Sequence, residues 1–142
     1  MKQSVMLRIQ GRQYYAQQDP EVIELLTEGT LEFANGGWNI CYEESELTGL
    51  AGVTTMFRVE QGAVKLVRTG ALRSEMHFQE GVRHQSLYQM DFGALMLTVC
   101  AKQISASISD RGGVVDLVYD VEIEHCEAGM VEYHLEVFPK TE

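Results

Sequence analysis

Apolar and polar residues alternate along most of this chain, in short runs broken by turns that contain glycine. A period of two marks strands with one dry and one wet face, and the close spacing of the turns predicts an antiparallel meander rather than βαβ units. Asn35-Gly36 is the clearest turn, because a two-residue hairpin needs positive φ at both central positions. Counting outward from it pairs Phe33 with Trp38, Leu31 with Ile40 and Gly29 with Tyr42, which puts large apolar side chains on one face of both strands.

A second hairpin is predicted at Gln79-Glu80-Gly81. A three-residue loop with Gly81 left-handed pairs Phe78 with Val82, Met76 with His84, Ser74 with Ser86 and Leu72 with Tyr88. The other face then holds Arg73, Glu75, His77, Gln79, Arg83, Gln85 and Gln89, with Leu87 its one apolar member. Only this register gives one dry and one wet face.

Further strands follow the same rule. Val64, Leu66 and Arg68 share a face, as do Val115, Leu117, Tyr119, Val121 and Ile123, then Val131, Tyr133, Leu135 and Val137. Their alternates Asp116, Asp120, Glu122, Glu124, Glu132, His134 and Glu136 are mainly acidic and are expected to face water. Gly93 to Ala101 is apolar on both parities, which predicts a strand buried on two sides or covered by another chain or by the N-terminal segment. Turns near Gln61-Gly62, Arg111-Gly112-Gly113 and Glu127-Ala128-Gly129 complete about nine or ten strands.

Asp19-Pro20-Glu21 resembles a helix start, with Val22, Leu25 and Leu26 at helical spacing. Alternation through Ile23, Leu25, Thr27, Gly29, Leu31 and Phe33 favours a strand running into the Asn35-Gly36 hairpin, with a short helix as the alternative. So many strands leave two raw sheet edges, and closing the sheet removes them. The fold class is therefore all-β, a closed antiparallel meander β-barrel with at most one short helix, as one domain over residues 1–142. A barrel of this size is filled by side chains or holds one small ligand.

Composition narrows the partners. Acids outnumber bases by 21 to 11, a formal net charge of −10 that repels nucleic acid and anionic membranes, so neither is expected as a partner. Cys41, Cys100 and Cys126 form no CxxC pair and no zinc spacing, which predicts free thiols in a reducing compartment. Arg8 interrupts the N-terminal run before it reaches signal-peptide length and no later run approaches membrane-spanning length, so a cytoplasmic setting is expected.

An ordered set of residues carries a family resemblance: Tyr42-Glu43-Glu44 with Leu47 and Gly49, then Val59, Gly62, Val64, Arg68 and Gly70, then Phe78, Gly81, Tyr88, Gly93, Leu95 and Leu97, and Tyr119 late in the chain. Over about residues 20 to 125 the chain resembles the YwiB-like family of small bacterial β-barrel proteins of unknown function. The resemblance implies a lipocalin-like (calycin) barrel and a cytoplasmic bacterial setting, and favours strand near Val22. It implies no activity.

Candidate chemistry is sparse. His77 and His84 fall on opposite faces in the predicted register, and His125 and His134 flank a turn without pairing, so no metal site and no cofactor is expected. No phosphate-binding loop or nucleophile elbow is present, and no catalytic residue can be named. In Tyr42-Glu43-Glu44 the two carboxylates point to opposite faces, which predicts a solvated strand end rather than an acid–base pair, with Glu44 on the face of Tyr42. The inner row Arg68, Ser74, His84, Ser86 and Tyr88 sets polar groups among Leu66, Met76, Phe78 and Val82. An inward Arg68 demands a carboxylate, acceptors, water or an anionic ligand; a head in water at the barrel mouth and an internal pair with Glu44 are the alternatives. The leading functional expectation is a small, partly apolar or carboxylated ligand held inside by Arg68, His84 and Tyr88, with Tyr42, Glu44, Ser74 and Ser86 nearby. The second is a ligand-free interaction module or homodimer using Leu87, Met96 and Phe138. An enzyme of unspecified reaction is third.

Overall fold

The alternation is realised as ten strands: β1 (Lys2–Tyr14), β2 (Glu21–Ala34), β3 (Gly37–Glu43), β4 (Val53–Glu60), β5 (Ala63–Gly70), β6 (Leu72–Phe78), β7 (Arg83–Met90), β8 (Gly93–Ser109), β9 (Gly112–Ile123) and β10 (Cys126–Pro139). The computed structural model describes residues 2–14, 19–45, 50–90 and 93–140; Leu47 and Gly49 lie outside them. Each strand is antiparallel to the next, and β1 pairs with β10 from Val5↔Pro139 to Tyr14↔Met130, which closes the barrel. No helix among the described residues is long and apolar enough to cross a membrane. Residues 21–34 are strand, so the helical alternative near Val22 is not realised.

Alternation then fills the interior. Leu7, Leu31, Ile40, Phe57, Leu66, Leu117 and Leu135 are almost fully buried, one from each of seven strands. Phe33↔Trp38 and Leu31↔Ile40 pair as the Asn35-Gly36 turn requires, and both turn residues have positive φ, 52° and 79°. That ladder ends at Thr30↔Cys41, one step short of Gly29 and Tyr42.

Three turns differ from the sequence expectation. The β9–β10 turn is Glu124-His125, both left-handed at φ 52° and 68°, and Gly129 instead belongs to a bulge in β10. Asp110-Arg111 makes the β8–β9 turn, with Ser109 opposite Gly112. The third concerns β6 and β7, where Leu72 pairs with Met90 rather than Tyr88, two residues along. Parity survives this slip and Gly81 is left-handed at φ 77°, but Val82 is exposed in the loop instead of opposite Phe78.

The physical reason lies on β8, where a bulge between Ala101 and Gln103 interrupts the β8–β9 ladder. There the Gly81 amide donates to the Ala101 carbonyl at 2.9 Å, and the Ile104 amide donates to Glu80 Oε2 at 2.9 Å. The loop is thus tied to β8 rather than folded tightly onto β6. The β6–β7 ladder consists of Leu72↔Met90 and Arg73↔Gln89, and beyond it the two strands part.

In β8, Leu97, Val99 and Ala101 face the core, while Gly93 to Leu95 are exposed. Outward Thr98 is buried too, opposite Glu122, which takes a bidentate pair of hydrogen bonds from Arg83 across β8 at 2.8 and 3.0 Å. Two-sided burial therefore holds for the middle of this strand only, and it comes from the barrel's own residues. Of the apolar residues expected on an outer face, Leu87 is exposed while Met96 and Phe138 are half-buried; Val22 and Leu26 on β2 are more exposed than any of them.

Candidate functional site

Barrel register builds a polar row inside the apolar wall. Tyr42 pairs with Thr55, Thr55 with Arg68 and Arg68 with Ser74, so four inward side chains lie side by side across β3, β4, β5 and β6. One residue beyond Glu43, Glu44 turns inward and is buried, so it is not the solvated strand end that the sequence predicts. The Thr55 hydroxyl donates to Glu44 Oε2 at 2.5 Å, and Arg68 Nε stands 4.0 Å from the same oxygen. The Arg68 side chain is mostly buried, 15% exposed, and its Nε is buried without a hydrogen-bond partner.

Facing this row, β9 and β10 contribute two more phenols. The Tyr42 and Tyr133 hydroxyls lie 3.3 Å apart, and burial raises both phenols above their ordinary pKa. They stay neutral hydrogen-bonding groups at any physiological pH. Two connected hollows open at the end of the barrel where β3 and β9 finish and β4 and β10 begin. One, of about 340 Å³, is walled by Met76, Leu97, Tyr119 and Val121; the other, of about 290 Å³, by Ile9, Tyr42, Glu44 and Tyr133. Arg68, Tyr88, Tyr119, Gln13 and Val131 line both. The two adjoining hollows form a chamber whose first part is mainly apolar and whose second mixes polar and apolar lining, and apolar surface with a few polar groups is the usual construction of a small-molecule site. Exposed Ile23, Leu95 and Ile123 line its mouth.

A ten-stranded closed meander of this kind has counterparts among known proteins. A family model described as a domain of unknown function (DUF1934) matches residues 7–136. The chain belongs to that family. Among similar proteins, the uncharacterized beta-barrel protein YwiB of Bacillus subtilis (strain 168) is 29% identical over 103 residues, covering 72% of this chain and 71% of that one. The crystal structure of the ywiB protein from Bacillus subtilis superposes with a TM-score of 0.87 at 22% identity, over 99% of this chain and 94% of that chain.

Of the residues singled out from sequence, Arg68, Tyr88, Tyr42 and Glu44 line the DUF1934 chamber. Ser74, His84 and Ser86 do not. With Arg68 they line the separate opening left where β6 and β7 part. There the predicted separation of His77 from His84 fails: their rings stack with centroids 4.2 Å apart, because alternation no longer divides the faces once the ladder stops. His84 is driven below its ordinary pKa by burial and by His77. His134, on the outer face, bridges Asp116 and Glu136 at 2.5 and 3.0 Å. Tyr119 and Tyr133 line the chamber, and Thr55 stands behind it as the partner of Glu44; all three escaped the sequence reading as site residues. For Thr55 the available signal was its shared parity with Val53, Phe57 and Val59. Among the described residues no group of three or more His, Cys, Asp or Glu side chains is gathered to hold a metal ion.

Proposed function

We propose that this barrel binds one small, partly apolar carboxylic acid in the chamber at its open end. The observation that carries the reading is Arg68, whose buried Nε lacks a hydrogen-bond partner at the junction of both hollows. An Arg buried in an apolar wall is costly unless its charge and donors are met, and Glu44 at 4.0 Å answers the charge without taking the hydrogen bond. A ligand carboxylate beside Arg68 and the Tyr88 ring supplies the acceptor, while Met76, Leu97 and Val121 take the apolar body. Cys41, Cys100 and Cys126 are all free thiols, which supports a reducing, cytoplasmic setting for the proposed activity.

Native mass spectrometry of freshly purified protein, read beside an Arg68→Met variant, tests this. The wild type is expected to carry an acid of a few hundred daltons or to bind added octanoate, and Arg68→Met to weaken it by about tenfold or more. An apo mass together with no octanoate binding at millimolar concentration would overturn the reading.

A further inference from the structure

Five polar side-chain atoms among the described residues are buried without a hydrogen-bond partner: Arg68 Nε, Ser74 Oγ, His84 Nδ1, Ser86 Oγ and Thr98 Oγ1. Four of the five belong to residues lining one groove of about 520 Å³, the opening where β6 and β7 part. Buried polar groups are normally satisfied, so several orphans around one opening mark a shared missing partner. Ser74 is 6% exposed, which leaves its hydroxyl little access to bulk water.

The chemistry of the partner follows from what the orphans lack. Arg68 Nε can only donate, both serine hydroxyls can donate, and a neutral imidazole donates from Nδ1 in one of its tautomers. Arg68 and Arg73 both line the groove, which disfavours a cation. Its one acid, Glu75, is engaged elsewhere, 2.9 Å from His77 Nε2. A set of donors beside guanidinium groups is complementary to oxygens that carry negative charge.

We propose that the gap between β6 and β7 is an oxyanion site, built for a carboxylate or phosphate group and separate from the apolar chamber. It does not rest on the chamber's proposed ligand: Ser74, His84 and Ser86 line no part of the chamber, and Arg68 Nε, with its single N–H, serves whichever oxygen reaches it. Arg68 lines both places, so the anion is either free in solution or the head of a longer acid whose body lies in the chamber.

Titration of ¹⁵N-labelled protein with inorganic phosphate, acetate and octanoate in separate series, at constant ionic strength, tests the proposal. Phosphate or acetate is expected to give saturable shifts at the amides of Ser74, His84 and Ser86. The Ser74→Ala/Ser86→Ala double variant, which leaves every chamber residue in place, should bind that anion about tenfold more weakly or worse while its melting temperature holds. Octanoate shifting both these amides and Val121 and Val131 identifies the head group of a longer acid; shifts in the gap with small anions alone identify a free anion. Shifts matched by chloride, no saturation with either small anion, or unchanged affinity in the double variant would overturn the proposal. Failure of the chamber reading shows separately, as octanoate that moves neither Val121 nor Val131.

Discussion

Arg68 and Glu44 face each other inside the barrel at 4.0 Å, Nε to Oε2, close enough to attract as charges and too far to share a hydrogen bond. Removing one partner of such a pair is expected to cost more than removing both. Arg68→Met should therefore destabilise by about 3 kcal/mol, and Arg68→Met with Glu44→Gln by clearly less, since no carboxylate is then stranded. Urea melts of the two variants read this directly. A double variant no more stable than the single would mean that the pair is not coupled.

Thr55 supplies the short hydrogen bond to Glu44, at 2.5 Å and wholly inside the barrel. Thr55→Val keeps the shape and removes the donor, so it should cost about 1.5 to 3 kcal/mol, the range for a hydrogen bond to a charged group. Tyr42→Phe breaks only the 3.3 Å contact between neutral phenols and should cost about 1 kcal/mol or less. Equal losses in the two variants would contradict this ranking of the polar row.

Gly81 is left-handed at φ 77° and its amide is bonded to Ala101 on β8. A β-branched residue strongly resists that conformation, so Gly81→Val should destabilise by at least about 1 kcal/mol. Gly81→Asn, which tolerates the left-handed region better, should recover part of the loss in the same chemical melts.

His134 lies between Asp116 and Glu136, and the hydrogen bonds to these carboxylates, Asp116 first, raise its pKa above the ordinary value. A folded pKa above the unfolded one of about 6.5 gives stability that is complete below that pH and fades as pH rises through the folded value. His134→Gln should accordingly cost more stability at about pH 6 than at about pH 9, where the imidazole is neutral in both states. Equal losses at the two pH values would show that the bridge holds no extra proton. The same titration followed by NMR should place His84 below its ordinary value, since burial and His77 both disfavour its charged form.

Legibility from sequence followed the range of the interaction that sets each feature. Asn35-Gly36 imposes its register locally, so Leu31↔Ile40 could be counted off the chain. The Gln79-to-Val82 loop takes its geometry from β8, some twenty residues away along the chain, through Ala101 and Ile104, and no local rule sees that. The slip it introduces kept parity, which is why the inward set on β6 was right although its partners on β7 were wrong. Glu44 was readable as inward from Tyr42, but its burial depends on Thr55, which only the β3–β4 register brings alongside. The stacking of His77 on His84 exists because two strands part, and parting leaves no mark in an alternating pattern.

Closure by β1 and β10 carries a consequence for how the chain reaches this state. The seam joins segments more than a hundred residues apart, so loop-closure entropy disfavours it until the eight strands between have aligned. Until β10 arrives, β1 and β9 each present a bare edge, and a chain ending before Cys126 keeps both. Such a truncated product should self-associate through those edges instead of remaining a monomer with one strand missing, which makes completion of the last hairpin the step that protects the nascent chain from its own kind.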